Sequence, residues 1–149
     1  STQGKLSMTG MENIELEIHL SSTYWKNPPV VKVWLDDNVL RQSSPLTDPE
    51  IIKWTGNITE GEHTIKVALS GKDGKIETII EDGKMVKDQL LNIDGIIIDG
   101  IDLGILLYTH GTMFPTGREP ITGVVNIGWN GTYELKFSVP AYLWLLENL

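Results

Sequence analysis

The stretch Lys87 to Gly104, KDQLLNIDGIIIDGIDLG, sets four aspartates (Asp88, Asp94, Asp99 and Asp102) among a dense run of isoleucine and leucine. Apolar side chains recur at every second position, the period of a strand with one buried face. Leu91 and Ile93 share one parity, whereas Ile96 and Ile98 take the other, and the switch falls at Asp94-Gly95. A strand changes phase without leaving its sheet by accommodating one extra, unpaired residue, a β-bulge, so Gly95 is placed in one. This reading predicts that Ile93 and Ile98 are both buried and that Asp94 points outward beside the bulge. It also has Asp99-Gly100 turning the chain, because Asp and Gly tolerate the positive φ of a tight hairpin. Asp88 precedes the strand and has no evident turn partner.

The same alternation runs outward in both directions. Ile14, Leu16, Ile18 and Leu20 alternate with Glu15, Glu17 and His19, and Val31, Val33 and Leu35 repeat the pattern before a turn read at Asp37-Asn38. GEHTIKVALSG puts His63, Ile65, Val67 and Leu69 on one face, Asp82-Gly83 marks a hairpin, and Tyr133, Leu135, Phe137 and Val139 alternate near the end. Short runs separated by Gly, Pro, Asn and Asp imply an all-β fold: a single β-sandwich, of jelly-roll type, with about eight to eleven strands. PAYLWLLENL, opened by Pro140, is the one helix candidate, about two turns long. Residues 1–10 are read as a tag, linker or disordered N-terminus, and 11–149 as the sandwich domain.

Composition narrows the function classes. Twenty acidic against twelve basic side chains give a net charge of −8, spread along the chain. Binding phosphate backbones or an anionic membrane needs clustered Lys and Arg, so neither nucleic acid nor membrane insertion is expected. With no cysteine there are neither disulfides nor thiolate metal sites. His19, His63 and His110 lack metal-ligand spacing, and there is no nucleophile elbow or phosphate loop. His63, in phase with Ile65 and Val67, reads as a hydrogen-bonded core or edge residue. The chain is therefore not read as an enzyme. The sequons at Asn57 and Asn130 carry no weight in that reading.

GEHTIKVALSGKD followed by KDQLLNIDGIIIDG resembles the calcium-dependent xylan-binding carbohydrate-binding modules. Gly61, His63, Ile65 and Val67 match one motif of that family, and Asp88, Leu91, Ile93, Asp94, Ile96, Ile98, Asp99 and Gly100 match another without a gap. VVKVWLDD is similar to a further strand of such modules. The resemblance implies a calcium ion held in part by Asp88. Gly71-Lys72 stand where the family has Asn-Asp; Lys72 cannot ligate a cation, which leaves Asp73 as the shifted partner. Calcium suits sugar recognition because it takes six to eight oxygens in a flexible shell and can leave positions open to a diol. Over nearly its whole length the chain also resembles uncharacterised proteins of tailed, especially marine, phages, through YWKNPP, EDGKMVKDQLLNID and WNGTYELKFSVPAYLWLLENL. That resemblance implies a viral origin, and with it a virion or extracellular location and possible virion-protein partners.

Binding a sugar without chemistry calls for a flat aromatic against the pyranose ring and polar groups for its hydroxyls. Trp25, in a loop with Tyr24, Trp129, in the loop GWNGT, and Trp34, out of phase with Val33 and Leu35, are the platform candidates, with Tyr24 behind them. Trp54 shares a face with Ile52 and reads as core. The chain is thus expected to be a non-catalytic carbohydrate-binding module for a polysaccharide or cell-surface glycan. The alternative is a structural virion protein whose sandwich docks other proteins. A far-UV circular dichroism spectrum of β type is expected, and a spectrum dominated by helix would refute the fold.

Overall fold

The computed structural model describes residues 10–149. In chain order its first elements are β1 (Met11–Thr23), β2 (Val30–Leu35), β3 (Asn38–Pro45), β4 (Glu50–Thr59), β5 (Gly61–Ser70), α1 (Gly74–Glu77), β6 (Ile79–Glu81) and β7 (Lys84–Lys87). Then follow β8 (Leu90–Ile98), β9 (Ile101–Asp102), α2 (Leu106–Thr109), β10 (Gly111–Pro115), β11 (Ile121–Thr122), β12 (Asn126–Ile127), β13 (Gly131–Val139) and α3 (Ala141–Asn148). One sheet runs β12-β8-β1-β4 with β9 also on β8; the second runs β11-β10-β13-β5-β2-β3; β6 and β7 form a separate hairpin. All pairings are antiparallel. The fold is an all-β sandwich. Among the described residues the thirteen strands exceed the eight to eleven expected because β9, β11 and β12 are two-residue pairings, too short to leave a periodic signature.

Alternation builds the core. Ile14, Leu16, Ile18 and Leu20 of β1 and Leu91, Ile93, Ile96 and Ile98 of β8 come from one sheet. Val31, Val33 and Leu35 of β2, Ile65, Val67 and Leu69 of β5, and Tyr133, Leu135 and Phe137 of β13 come from the other, and all join one buried cluster. Each fully buried Leu, Ile or Val contributes about 1.5–3 kcal/mol relative to exposure. Trp54 lies against the same cluster, its indole lying over Gly56 two residues along β4. His63 is buried, with Nδ1 2.6 Å from Asp36 Oδ2 and Nε2 2.6 Å from the Thr59 carbonyl oxygen.

The bulge lies between Ile93 and Ile96, as the alternation requires, but its unpaired residue is Asp94, one before the expected Gly95. His19 of β1 pairs with Gly95 and Leu20 with Ile93, so Asp94 is the residue left out of the ladder, and it is exposed. Ile93 and Ile98 are 2% and 0% exposed, despite their opposite parity. Beyond them Asp99 and Gly100 take φ of 51° and 78°, closing a two-residue hairpin in which Ile98 pairs with Ile101.

Asp99 also extends the sheet sideways. Its N–H donates to the Glu15 carbonyl (2.8 Å) and its Oδ1 accepts from the Glu15 N–H (2.9 Å). Asp36 repeats the device in the second sheet, its N–H donating to Thr64 O (2.8 Å) and its Oδ1 accepting from Thr64 N (2.9 Å). This places the β2–β3 turn at Asp36-Asp37, one residue before the expected Asp37-Asn38, because Asn38 already pairs with Leu35. Asp102 Oδ1 accepts from the Gly104 N–H (2.9 Å), a local turn of the kind aspartate favours.

The C-terminal helix α3 is present, burying Ala141, Trp144 and Leu145. The one-turn helices α1 and α2 were not legible in the sequence. Among the described residues no helix is long and apolar enough to cross a membrane. Near α2, Tyr133 is fully buried with its hydroxyl donating to Leu107 O at 2.7 Å, and burial pushes the phenol well above its ordinary range. Gly111 lies against both groups, so a Cβ there collides with the Tyr133 hydroxyl and the Leu107 carbonyl. Gly111→Ala is expected to destabilise the domain by roughly 3 kcal/mol, through overpacking and loss of a buried hydrogen bond. Urea unfolding measures this; a midpoint equal to wild type would contradict the packing.

Candidate functional site

A depression of about 610 Å³ opens where the end of β7, the start of α1 and the loops around Thr116 and Trp129 meet. Its lining combines Trp129 with Lys72, Thr78, Asp88, Arg118 and Asn126. An indole beside charged and amide groups is the combination a sugar ring and its hydroxyls require.

Trp129 packs partly on the core, and the Arg118 guanidinium lies 6.0 Å from its ring centroid. The next residue, Asn130, locks the neighbouring loop. Its Oδ1 accepts from the Lys72 N–H and its Nδ2 donates to the Lys72 carbonyl, both at 2.9 Å. The side-chain amide thus continues a strand-like pairing where the backbone has none. This clamp fixes where the Lys72 side chain starts.

The Lys72 ammonium ends on Asp88. Nζ donates to Asp88 Oδ1 at 2.6 Å and to the Gly128 carbonyl at 2.7 Å, with the lysine side chain 6% and the aspartate side chain 11% exposed. Asp88 Oδ1 also accepts from Thr78 Oγ1 (2.7 Å) and from the Gln89 N–H (2.8 Å). Burial alone would raise the Asp88 carboxyl. The hydrogen bonds from Lys72, Thr78 and Gln89, with the lysine charge, outweigh it and hold the carboxyl below its ordinary value of 3.8. Gly128 lies against the pair: a Cβ there would press on Leu90 Cδ2 at 3.2 Å and meet Asp88 Oδ2 and Lys72 Nζ at ordinary contact, 3.5 and 3.7 Å.

The calcium set expected from the sequence, Asp88 with Asp73, is not assembled. Asp73 caps α1, its Oδ1 accepting from the Lys75 N–H at 3.0 Å, and it does not line the depression that Asp88 lines. A divalent ion on Asp88 would share one carboxylate oxygen with an ammonium, and like charges at that separation repel strongly in a partly desolvated site. Among the described residues no group of three or more His, Asp or Glu side chains could hold a metal. The residues around Asp88 therefore do not fit calcium.

The aromatic candidates are dispersed. Of the four, the depression gathers Trp129 alone. Trp25, 40% exposed, is not in the lining; its Nε1 donates to Glu77 O (2.8 Å), with Lys87 Nζ 4.7 Å from its ring centroid. Tyr24 makes a long contact from its hydroxyl to Thr47 O, 3.4 Å. Trp34 does face away from the core, under Lys32 (Nζ at 4.9 Å), and lines a smaller hollow, about 320 Å³, with Asp36, Asp37, Lys66, Thr132 and Glu134. Sequence reasoning missed Lys72, Thr78, Arg118 and Asn126 as site residues. The one usable signal was Lys72, a cation at the very position where the resemblance demanded a ligand for one.

No family model matches the chain, and no curated protein is significantly similar to it. Two solved structures are similar at low identity. One is the selenomethionine form of vCBM60, reported with a circular permutation linking two families of calcium-dependent carbohydrate-binding modules (13% identity, TM-score 0.46, 82% of this chain and 89% of that one). The other is vCBM60 in complex with galactobiose (11% identity, TM-score 0.44, 83% of this chain and 97% of that one).

Breaking the ion pair tests the site's architecture. Asp88→Asn leaves a buried ammonium without its counter-charge and is expected to cost on the order of 3 kcal/mol at neutral pH. Because the folded carboxyl is held below 3.8, the pair's contribution is complete above that value and is lost as pH falls through the folded value. Wild type should therefore lose stability on acidification below about pH 4, and Asp88→Asn should lose less of it. Thermal melts from pH 7 to pH 2 check both the sign and the window.

Proposed function

We propose that the protein is a non-catalytic carbohydrate-binding module that takes a polysaccharide or glycan in the Trp129 depression. The observation that carries this reading is the meeting of one partly exposed indole with a fixed donor–acceptor pair, Lys72 and Asp88, in an open hollow. The indole supplies a flat apolar face for a pyranose. The polar wall supplies directional hydrogen bonds that are already oriented before the ligand arrives, which limits the ordering cost of binding. Trp34 and Trp25, which do not line the depression, are proposed as secondary platforms for a longer chain, with Tyr24 beside Trp25. No calcium is included in the proposal, since the residues around Asp88 do not suit it.

A second reading has one specific observation behind it. His110 joins α2 to α3 through an edge-on contact with Trp144, 5.6 Å between centroids, and a 2.8 Å contact from Nε2 to Asn148 Oδ1. Around that junction Ile105, Tyr108, Leu143, Leu146 and Leu149 are exposed. Such a surface suits docking against another protein, as a component of a larger particle would need.

A glycan array of plant, algal and bacterial polysaccharides separates the two readings. At least one hit is expected with wild type, and Trp129→Ala should weaken it by about tenfold or more, roughly 1.4 kcal/mol. Trp34→Ala and Trp25→Ala should have smaller effects. An array without hits at millimolar protein would refute the module reading. Self-association or capture abolished by Leu146→Glu would then favour docking.

A further inference from the structure

We propose that the Lys72–Asp88 ion pair is itself the element that recognises the sugar, holding two neighbouring hydroxyls without any metal ion. This rests on the carbohydrate reading above and names the chemistry at its centre. An ammonium has three N–H donors. Two are engaged, by Asp88 Oδ1 and the Gly128 carbonyl, and no third acceptor for Nζ occurs among the described residues. Asp88 presents the complementary half. Oδ1 collects the Lys72, Thr78 and Gln89 donors, while Oδ2 has no hydrogen-bond donor among the described residues. Both side chains line the depression that holds Trp129.

Among the described residues the pair thus keeps one ammonium N–H and one carboxylate oxygen without a protein partner, on two side chains that line the same hollow. That is the pattern a vicinal diol satisfies, one hydroxyl accepting from Nζ and its neighbour donating to Oδ2. Charge-assisted hydrogen bonds of this kind are shorter and about twice as strong as neutral ones. The Asn130 clamp on the Lys72 backbone and the Thr78 and Gln89 bonds to Oδ1 fix both partners in advance. A tethered cation thus does locally what a bound divalent ion would otherwise do, and it also keeps such an ion from Asp88.

The test measures two quantities on the folded wild-type chain. The first is its melting temperature with 5 mM calcium chloride and with EDTA (roughly a hundredfold excess over a 50 µM site). The second is its binding to soluble xylan, galactan and any array hit under the same two conditions. The expected result is no calcium-dependent melting shift and affinities within twofold of each other. Lys72→Met should then lower affinity at least tenfold in EDTA, with Lys72→Arg intermediate and circular dichroism confirming the fold of each. A calcium-dependent rise in melting temperature that Asp88→Asn removes, or binding abolished by EDTA and restored by calcium, overturns the proposal without any variant of Lys72. Binding in EDTA that Lys72→Met leaves unchanged overturns this proposal alone. No sugar bound under either condition overturns the module reading and this proposal with it.

Discussion

The central position of β1 dictates much of what surrounds it. Its four apolar residues, Ile14, Leu16, Ile18 and Leu20, must face the second sheet, and the strand is paired along both edges, to β4 and to β8. A one-residue slip on either side would turn an entire apolar set outward. Two ladders with a common central strand therefore share one register. The Asp99 turn reinforces that register by holding the Glu15 amide of β1, and the Asp36 turn holds the Thr64 amide of β5 in the same way in the second sheet.

The site lies where this regularity stops. The hollow is walled by loop residues, by Gly74 of α1 and by Met85, Leu90 and Asn126 at strand positions, and its order comes from side-chain hydrogen bonds. Asn130 grips Lys72, Lys72 reaches Asp88 and Gly128, and Asp88 is held by Thr78 and its own neighbour Gln89. Each contact fixes the next. A chain of net charge −8 thereby keeps one lysine and one arginine beside an indole.

Strands, bulge and the C-terminal helix were legible because burial imposes periods on a sequence, and a period survives without knowledge of partners. Ile93 and Ile98 show this: their parities alone demanded the unpaired residue between them. The turn at Asp36 was misplaced by one position because Asp36, Asp37 and Asn38 are chemically interchangeable as turn formers; the pairing of Leu35 with Asn38 decides, and pairing is not local. The site was half legible. Trp129 and Asp88 were singled out separately, one as a platform and one as a ligand, yet nothing in their spacing announced that one hollow contains both. Arg118 and Asn126 arrive from distant segments and leave no local mark. Lys72 was visible as an obstacle to a metal, whereas its role as the counter-ion of Asp88 follows only from a hydrogen bond spanning sixteen residues.

The bulge at Asp94 also bears on how chain length can vary within the sheet. Leu20 pairs with Ile93 and His19 with Gly95, so the partner strand never counts the residue between them. Without Asp94, Gly95 would follow Ile93 directly, and every pairing on either side would remain as it is, with Ile96 and Ile98 still inward. The position is thus neutral to the loss of a single residue in a way that no other position of β8 is. Chains of this fold that differ by one residue here would keep identical ladders, and an alignment gap at 94 would mark no change in architecture.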